Sequence, residues 1–259
     1  MNDDRSARVW ASINAVAHGE ATRVSVRHAC IACTRAIVAA GAGLSLIRDG
    51  RLHEPVYATD PLSRELEELQ FTLGEGPCMD AAAGDRPVLV PDVAAEWAGR
   101  RWPMFAPAAA DRGVVAVFAI PVAAGAVRLG VMDLYRRQIG LLTREELAEA
   151  LTFADAALVL ALDHGDGVGA GLDDLFDTDF AGLRVEVHQA AGMVAAQIGA
   201  SVTDAFARLR AHAYAQDLRL ADVAAEVLAR RLRFGSDGRP GGGPRYDGGT
   251  TGPRGGERR

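Results

Sequence analysis

The chain has 259 residues, 49% of them hydrophobic and 24% charged, with a formal net charge of −6, which allows one good core and a smaller second one. Its longest apolar stretch, around residues 114–127, is interrupted by Pro121 and Gly125, and the N-terminal MNDDRSARVW carries acids but no apolar signal core. Neither a membrane span nor export is therefore expected, and the predicted location is cytoplasmic.

The charge is unevenly spread. Residues 181–234 hold seven arginines against five acids and the tail from 235 holds five against three, which leaves −10 on residues 1–180. The basic part is the C-terminal end, although +2 falls short of the balance expected of a constitutive nucleic-acid binder. All 28 basic residues are arginine. The three cysteines, Cys30, Cys33 and Cys78, cannot close a disulfide framework, which fits a reduced, intracellular protein.

A helix over about 22–40 opens the larger domain. GLSLIRDG then alternates and closes on Asp49-Gly50, the pattern of a strand entering a hairpin turn, and LHEPVYA is its partner. Further strands are read at PVLVPD (87–92), VVAVFAIPV (114–122) and VRLGVMDLY (127–135), with helices near 61–71, 75–83 and 98–111. The last two strands, separated by residues 123–126, form an antiparallel pair. Helices packed on a mostly antiparallel sheet make an α+β fold. Leu147, Leu151, Ala154, Leu158 and Ala161 step by four, three, four and three, the seam of a short coiled coil, and predict a homodimer; packing of that seam on the domain's own sheet is the alternative.

Cys78 follows Gly76-Pro77 where a helix should begin, and a helix start favours thiolate. That makes it the candidate redox residue, beside the commoner reading of a buried cysteine as a small hydrophobe. Cys30 and Cys33 form a C-x-x-C near His28, but no second pair at zinc-finger spacing and no thioredoxin-like strand accompanies them, so no metal site is predicted there. G-x-S-x-G, G-x-x-x-x-G-K-[ST] and H-E-x-x-H are all absent from the sequence. The glycines of DHGDGVGAG follow a helix instead of a strand and read as a linker. The chain reads as a regulator, not an enzyme.

The C-terminal module is a three-helix bundle. Leu183, Val187, Ala190, Val194 and Ile198 line one side of a first helix that Gly199 ends. Ser201, three residues before Asp204, starts a second helix with Val202, Phe206, Leu209 and Ala213 on its apolar face. The third is LADVAAEVLARRL, with Val223, Val227 and Leu228 buried. The final GSDGRPGGGPRYDGGTTGPRGGERR has no apolar period and is expected to be disordered.

QAAGMV at 189–194, AFARLRAHA at 205–213 and LADVAAEVL at 220–228 resemble the ANTAR family of bacterial RNA-binding output domains. The resemblance implies binding to paired RNA stem-loops in nascent transcripts, which prevents a terminator from forming. Many members carry a lysine where this chain has Ala191, a departure that removes a phosphate contact. The residues expected to meet RNA are Arg184, His188, Gln189, Ala191, Gly192, Arg208, Arg210 and His212. Gly192, costly inside a helix, is there for close helix packing or for approach of a ligand backbone, packing being the commoner reason.

Upstream, LGEGPCMDAAAGDRPVLVPDV in its order of strands and helices looks like a GAF domain, a small-molecule sensing fold, over about 22–162. It implies a ligand held between the sheet and the middle helices; the sequence identifies no ligand or cofactor. The expected organisation is a GAF-like domain at 22–162, a linker at 163–176, an ANTAR-like bundle at 177–234 and a tail at 235–259. Two rival readings are a DNA-binding regulator, with Arg230, Arg231 and Arg233 along a phosphate backbone, and a GAF-type thiol enzyme acting through Cys78 and a resolving cysteine.

Overall fold

The computed structural model describes residues 2–48, 52–84, 86–125, 127–163, 178–216, 218–235 and 240–241. In chain order the elements are α1 (Asn2–Gly19), α2 (Val26–Ala36), β1 (Gly41–Arg48), β2 (Leu52–Ala58), α3 (Pro61–Leu73), α4 (Pro77–Ala83), β3 (Val88–Val90), α5 (Glu96–Arg101), α6 (Phe105–Asp111), β4 (Ala116–Ala124), β5 (Val127–Arg136) and α7 (Arg144–Asp163). The second unit comprises α8 (Thr178–Ile198), α9 (Val202–Ala215), α10 (Leu220–Leu228), β6 (Arg233–Phe234) and β7 (Pro240–Gly241). Among the described residues no helix is long and apolar enough to cross a membrane.

One antiparallel sheet of order β2-β1-β5-β4-β3 organises the first unit. Side chains alternate across a strand, and here both faces are covered. Ala42, Leu44 and Leu46 of β1, Phe118, Ile120 and Val122 of β4, and Met132 and Leu134 of β5 join one core with α1, α2 and α7. The intervening Ser45, Val117, Ala119, Val131, Asp133 and Tyr135 are equally buried but face α3 to α6. The Asp49-Gly50 turn and, apart from Asp163, the linker expected at 163–176 lie outside the described residues.

Helix α1 was not expected; the sequence reading began the domain at residue 22. Val9, Ile13 and Val16, spaced by four and three, are buried in the same core as the sheet, so α1 belongs to this unit. Helix α7 settles the fate of the proposed coiled-coil seam. Ala154, Leu158 and Ala161 are buried against the chain's own core with Ala150, Phe153 and Ala157, and Leu147 packs at its edge. Leu151 alone of the five is exposed.

The predicted 22–40 helix is shorter, starting after Ser25. His28 at its N3 position is fully buried, and its Nδ1 accepts the Ser25 backbone N–H at 2.9 Å. The ring proton is thereby assigned to Nε2, which faces Thr22 Oγ1 at 3.2 Å and the Glu20 carboxylate at 3.3 Å. Burial, and after it the nearby Arg27, holds this imidazole below its ordinary pKa of 6.5.

In the second unit α8 to α10 enclose Val187, Ala190, Val194, Phe206, Leu209, Ala213, Val223 and Val227. Gly199, in the left-handed region at φ 64°, ends α8. Ser201 caps α9, its Oγ accepting the Asp204 N–H at 3.1 Å and its hydroxyl donating to the Asp204 carboxylate at 2.7 Å. Four apolar positions differ from expectation: Val202 is exposed, Leu228 is only partly buried, and Leu220 and Ala224 join Val223 and Val227 in the interior of α10. The first turn of a helix projects beyond the elements it packs on, which accounts for Val202. Within the tail expected to be disordered, Pro240–Gly241 pairs with Arg233–Phe234.

Two outcomes follow. Ile13→Ala should destabilise the protein by about 2–5 kcal/mol in urea denaturation, because α1 is part of the core. The His28 term is fully present above pH 6.5 and is lost as pH falls through the depressed folded pKa, because the unfolded chain takes up the proton first. His28→Gln keeps an acceptor for the Ser25 amide, so denaturation midpoints measured between about pH 7.5 and 5.5 should fall less steeply than in the parent.

Candidate functional site

The expected RNA-contact residues sit on α8 and α9 but do not form one open face. Gln189 and Gly192 are exposed, and His188, Arg208 and His212 are half-buried. A Cβ built on Gly192 would meet nothing within 4 Å, so helix packing does not account for the glycine. Ala191 is fully buried in the bundle interior. The side chain of Arg184 lies outside the described residues. His188 packs its ring 6.0 Å from Phe206 and His212 packs 5.6 Å from Phe234.

Arg210 turns toward the first unit. Its guanidinium lies 4.6 Å from the ring centroid of Phe206 and 5.1 Å from that of Phe71 on α3, an arrangement that uses the negative face of each ring. Burial pushes its pKa down to about 10, so it remains charged at neutral pH. Phe71 and Phe206 meet edge to face at 5.5 Å. Beside them Arg219 donates two hydrogen bonds to Glu68, at 3.0 and 2.8 Å. Ala58 and Phe71 belong to the same apolar cluster as the bundle interior. A cavity of ≈ 750 Å³ opens next to this contact, lined in part by Arg64, Glu68, Met104, Arg112, Tyr214 and Arg219. Sequence reasoning missed Phe71, Glu68 and Arg219, since partners 151 residues apart leave no local pattern.

Between the sheet and the middle helices, where the GAF resemblance places a ligand, polar side chains converge. Glu67 on α3 accepts from Ser45 Oγ and from Tyr135 Oη, each at 2.6 Å. Gln70, one turn on, donates to Asp133 at 3.0 Å and accepts the Cys78 backbone N–H at 2.8 Å. All of these residues are buried. Two glycines make the space: a Cβ on Gly43 would lie 2.2 Å from Glu67 Oε1, and one on Gly76 would lie 2.4 Å from Gln70 Oε1. Gly76 also has φ 136°, open to glycine alone at little cost.

Cys78 is fully enclosed. Burial, then Asp133 and Glu67, pushes its thiol well above the ordinary range, which outweighs the helix-start effect that would favour an exposed redox thiolate. Cys30 and Cys33 are free thiols in the core on the opposite face of the sheet, where burial first, then Glu67, raises Cys30 to about 12. Neither is placed to resolve a disulfide with Cys78, so the thiol-enzyme reading loses its second cysteine. The DNA-binding reading loses its geometry, because α10 ends at Leu228 and the arginines lie beyond it. Arg231 is also tied back to Glu226 at 2.9 and 2.7 Å.

Comparison with known proteins agrees with this architecture. Residues 25–163 match the family model of the GAF domain and residues 183–228 that of the ANTAR domain. No curated protein matches the chain. Among solved structures, the GAF domain of a phosphoenolpyruvate-protein phosphotransferase from Coxiella burnetii is 13% identical with a TM-score of 0.45, covering 61% of this chain and 95% of that one. The GAF domain of an Acinetobacter phosphoenolpyruvate-protein phosphotransferase is also 13% identical with a TM-score of 0.45, covering 62% and 92%. With more than half of its length matched by one family model, the chain belongs to the GAF family, and it joins that domain to a C-terminal ANTAR domain as a GAF and ANTAR regulator.

Proposed function

We propose that this regulator binds paired stem-loops in nascent RNA through its C-terminal bundle and prevents transcription termination in response to a signal at the GAF domain. The observation that carries the reading is the ANTAR match over residues 183–228, on a bundle in which Gln189 and Gly192 are open to solvent. Gly192 has no packing role, and a bare backbone there suits close approach of a nucleic-acid strand. Single-stranded loops expose readable base edges, which suits the polar His188 and Gln189 one turn before it.

Two stem-loops call for two bundles, and the exposed Leu151, Val159 and Leu162 on α7 are the apolar stripe through which a second copy would pair. In the conformation described, Arg210 stacks on Phe71 of the GAF domain. Signal-dependent release of that contact would return a cation to the RNA-binding side, in keeping with a modest net charge and regulated affinity.

The deciding experiment titrates the protein with a tandem stem-loop RNA and with duplex DNA across a salt series. Loop-dependent, RNA-selective binding is expected; equal binding to both, or none, would refute the reading. Arg208→Ala should weaken RNA binding and reduce the salt slope by about 1. Gly192→Ala should leave stability unchanged or raise it by about 1 kcal/mol while lowering RNA affinity, a separation that a packing glycine would not give. Phe71→Ala should raise RNA affinity about two- to tenfold by removing the aromatic latch, and Glu68→Arg should act in the same direction; unchanged affinity in both would mean the contact does not restrain the bundle.

A further inference from the structure

The cluster beneath α3 has chemistry that hydrogen bonding leaves unfinished. Glu67, Cys78 and Asp133 come from three different elements, α3, α4 and β5, and each offers one ligand atom within 4.8 Å of the other two. All three are buried. The donors that reach the carboxylates, Ser45, Tyr135 and Gln70, are neutral. Burying two carboxyl groups costs several kcal/mol per charge unless positive charge or protons accompany them. Asp133 Oδ1, moreover, has no hydrogen-bond partner, although buried acceptors are almost always paired. The residues opposite Asp133 on the neighbouring strands are Gly43 and Ala119, and the place a Gly43 side chain would take is filled by Glu67, which brings its carboxylate to the cluster.

We propose that Glu67, Cys78 and Asp133 form a binding site for a divalent first-row transition metal ion. One sulfur and two carboxylate oxygens exclude Mg²⁺ and Ca²⁺, which take oxygen ligands, and the two hard oxygens disfavour Cu⁺. Zn²⁺, Fe²⁺ and Co²⁺ accept the mixed set. Binding is ligand exchange without redox change. The ion takes the Cys78 thiolate and the Asp133 carboxylate, whose two protons leave to solvent; with the Glu67 carboxylate, which accepts from Ser45 and Tyr135 on its two oxygens, three negative charges meet two positive ones and the loaded site keeps a net charge of one minus. Glu67 completes the site while Ser45 and Tyr135 hold its orientation, as partners of metal ligands do. Three protein ligands are one fewer than a closed four-coordinate structural zinc site uses. The inference concerns the GAF domain alone and does not depend on RNA binding.

The test uses the full-length reduced protein with Co²⁺, added to the folded chain and, in parallel, present during refolding from denaturant. A thiolate-to-cobalt charge-transfer band at one ion per chain is expected, bleached by Zn²⁺. Cys78→Ser should abolish the band while retaining a cooperative thermal transition, and Asp133→Asn should weaken Co²⁺ binding by at least about tenfold. A Cys30→Ser/Cys33→Ser double variant, altered only on the far face of the sheet, should keep the band. Absence of the band in folded and refolded parent, its survival in Cys78→Ser, or its loss in the double variant instead would overturn the proposal.

Discussion

Helix α3 is the element on which the arrangement depends, because it is buried on two sides by two different partners. Asp60 fixes its start by accepting the backbone amides of Leu62 and Ser63 at 3.0 and 3.1 Å, Pro61 occupies a first-turn position that needs no amide hydrogen, and Gly74 at φ 68° ends it. Glu67 and Gln70 then reach inward to the sheet, whereas the adjacent Glu68 and Phe71 reach outward to the bundle. Residues one apart on a helix diverge by about 100°, so a shift or rotation of α3 that served the inner contacts would disturb the outer ones. The interior of the GAF domain and the C-terminal bundle thereby meet on one helix.

The inner contacts are a polar network in an otherwise apolar domain. Such networks are costly when incomplete and specifying when satisfied. Here glycine at positions 43 and 76 lets Glu67 and Gln70 lie flat on their neighbours. Burial raises the proton affinity of both carboxyl groups, and Glu67 raises that of Asp133 further, whereas hydrogen bonds from Ser45, Tyr135 and Asp133 offset part of the rise at Glu67. The opposite face of the same sheet is apolar, with Leu44 packed among Cys30, Cys33 and Ile37 from α2 and its C-terminal end and the buried residues of α7. Alternation along β1 and β5 thus separates a polar side from an apolar one.

The outer contact joins apolar and charged parts. Phe71 and Phe206 exclude water, Arg210 covers both rings, and Arg219 and Glu68 close the rim. Exposed ion pairs contribute little by themselves, so the aromatic pair supplies most of the attachment and the charges set its orientation.

Much was legible in the sequence because it rests on local periodicity. The alternation of GAGLSLIR and VRLGVMDLY gave two central strands and the order of elements, four-three steps gave the bundle helices, and Gly199 and Ser201 marked a helix end and start. Those signals also existed in α1, at Val9, Ile13 and Val16, but acidic flanks obscured them. Distance in the chain hid the rest. Whether the apolar positions of α7 pair with another copy or with the chain's own sheet, whether Arg210 faces solvent or Phe71, and whether Cys78 is exposed beside a helix start or enclosed with two carboxyl groups are questions of which distant surface each side chain meets. Composition and spacing determined the elements, and the resemblance of a few motifs pointed to the family; only tertiary packing decided those partners, because burial and charge pairing are properties of the assembled interior and not of any local segment.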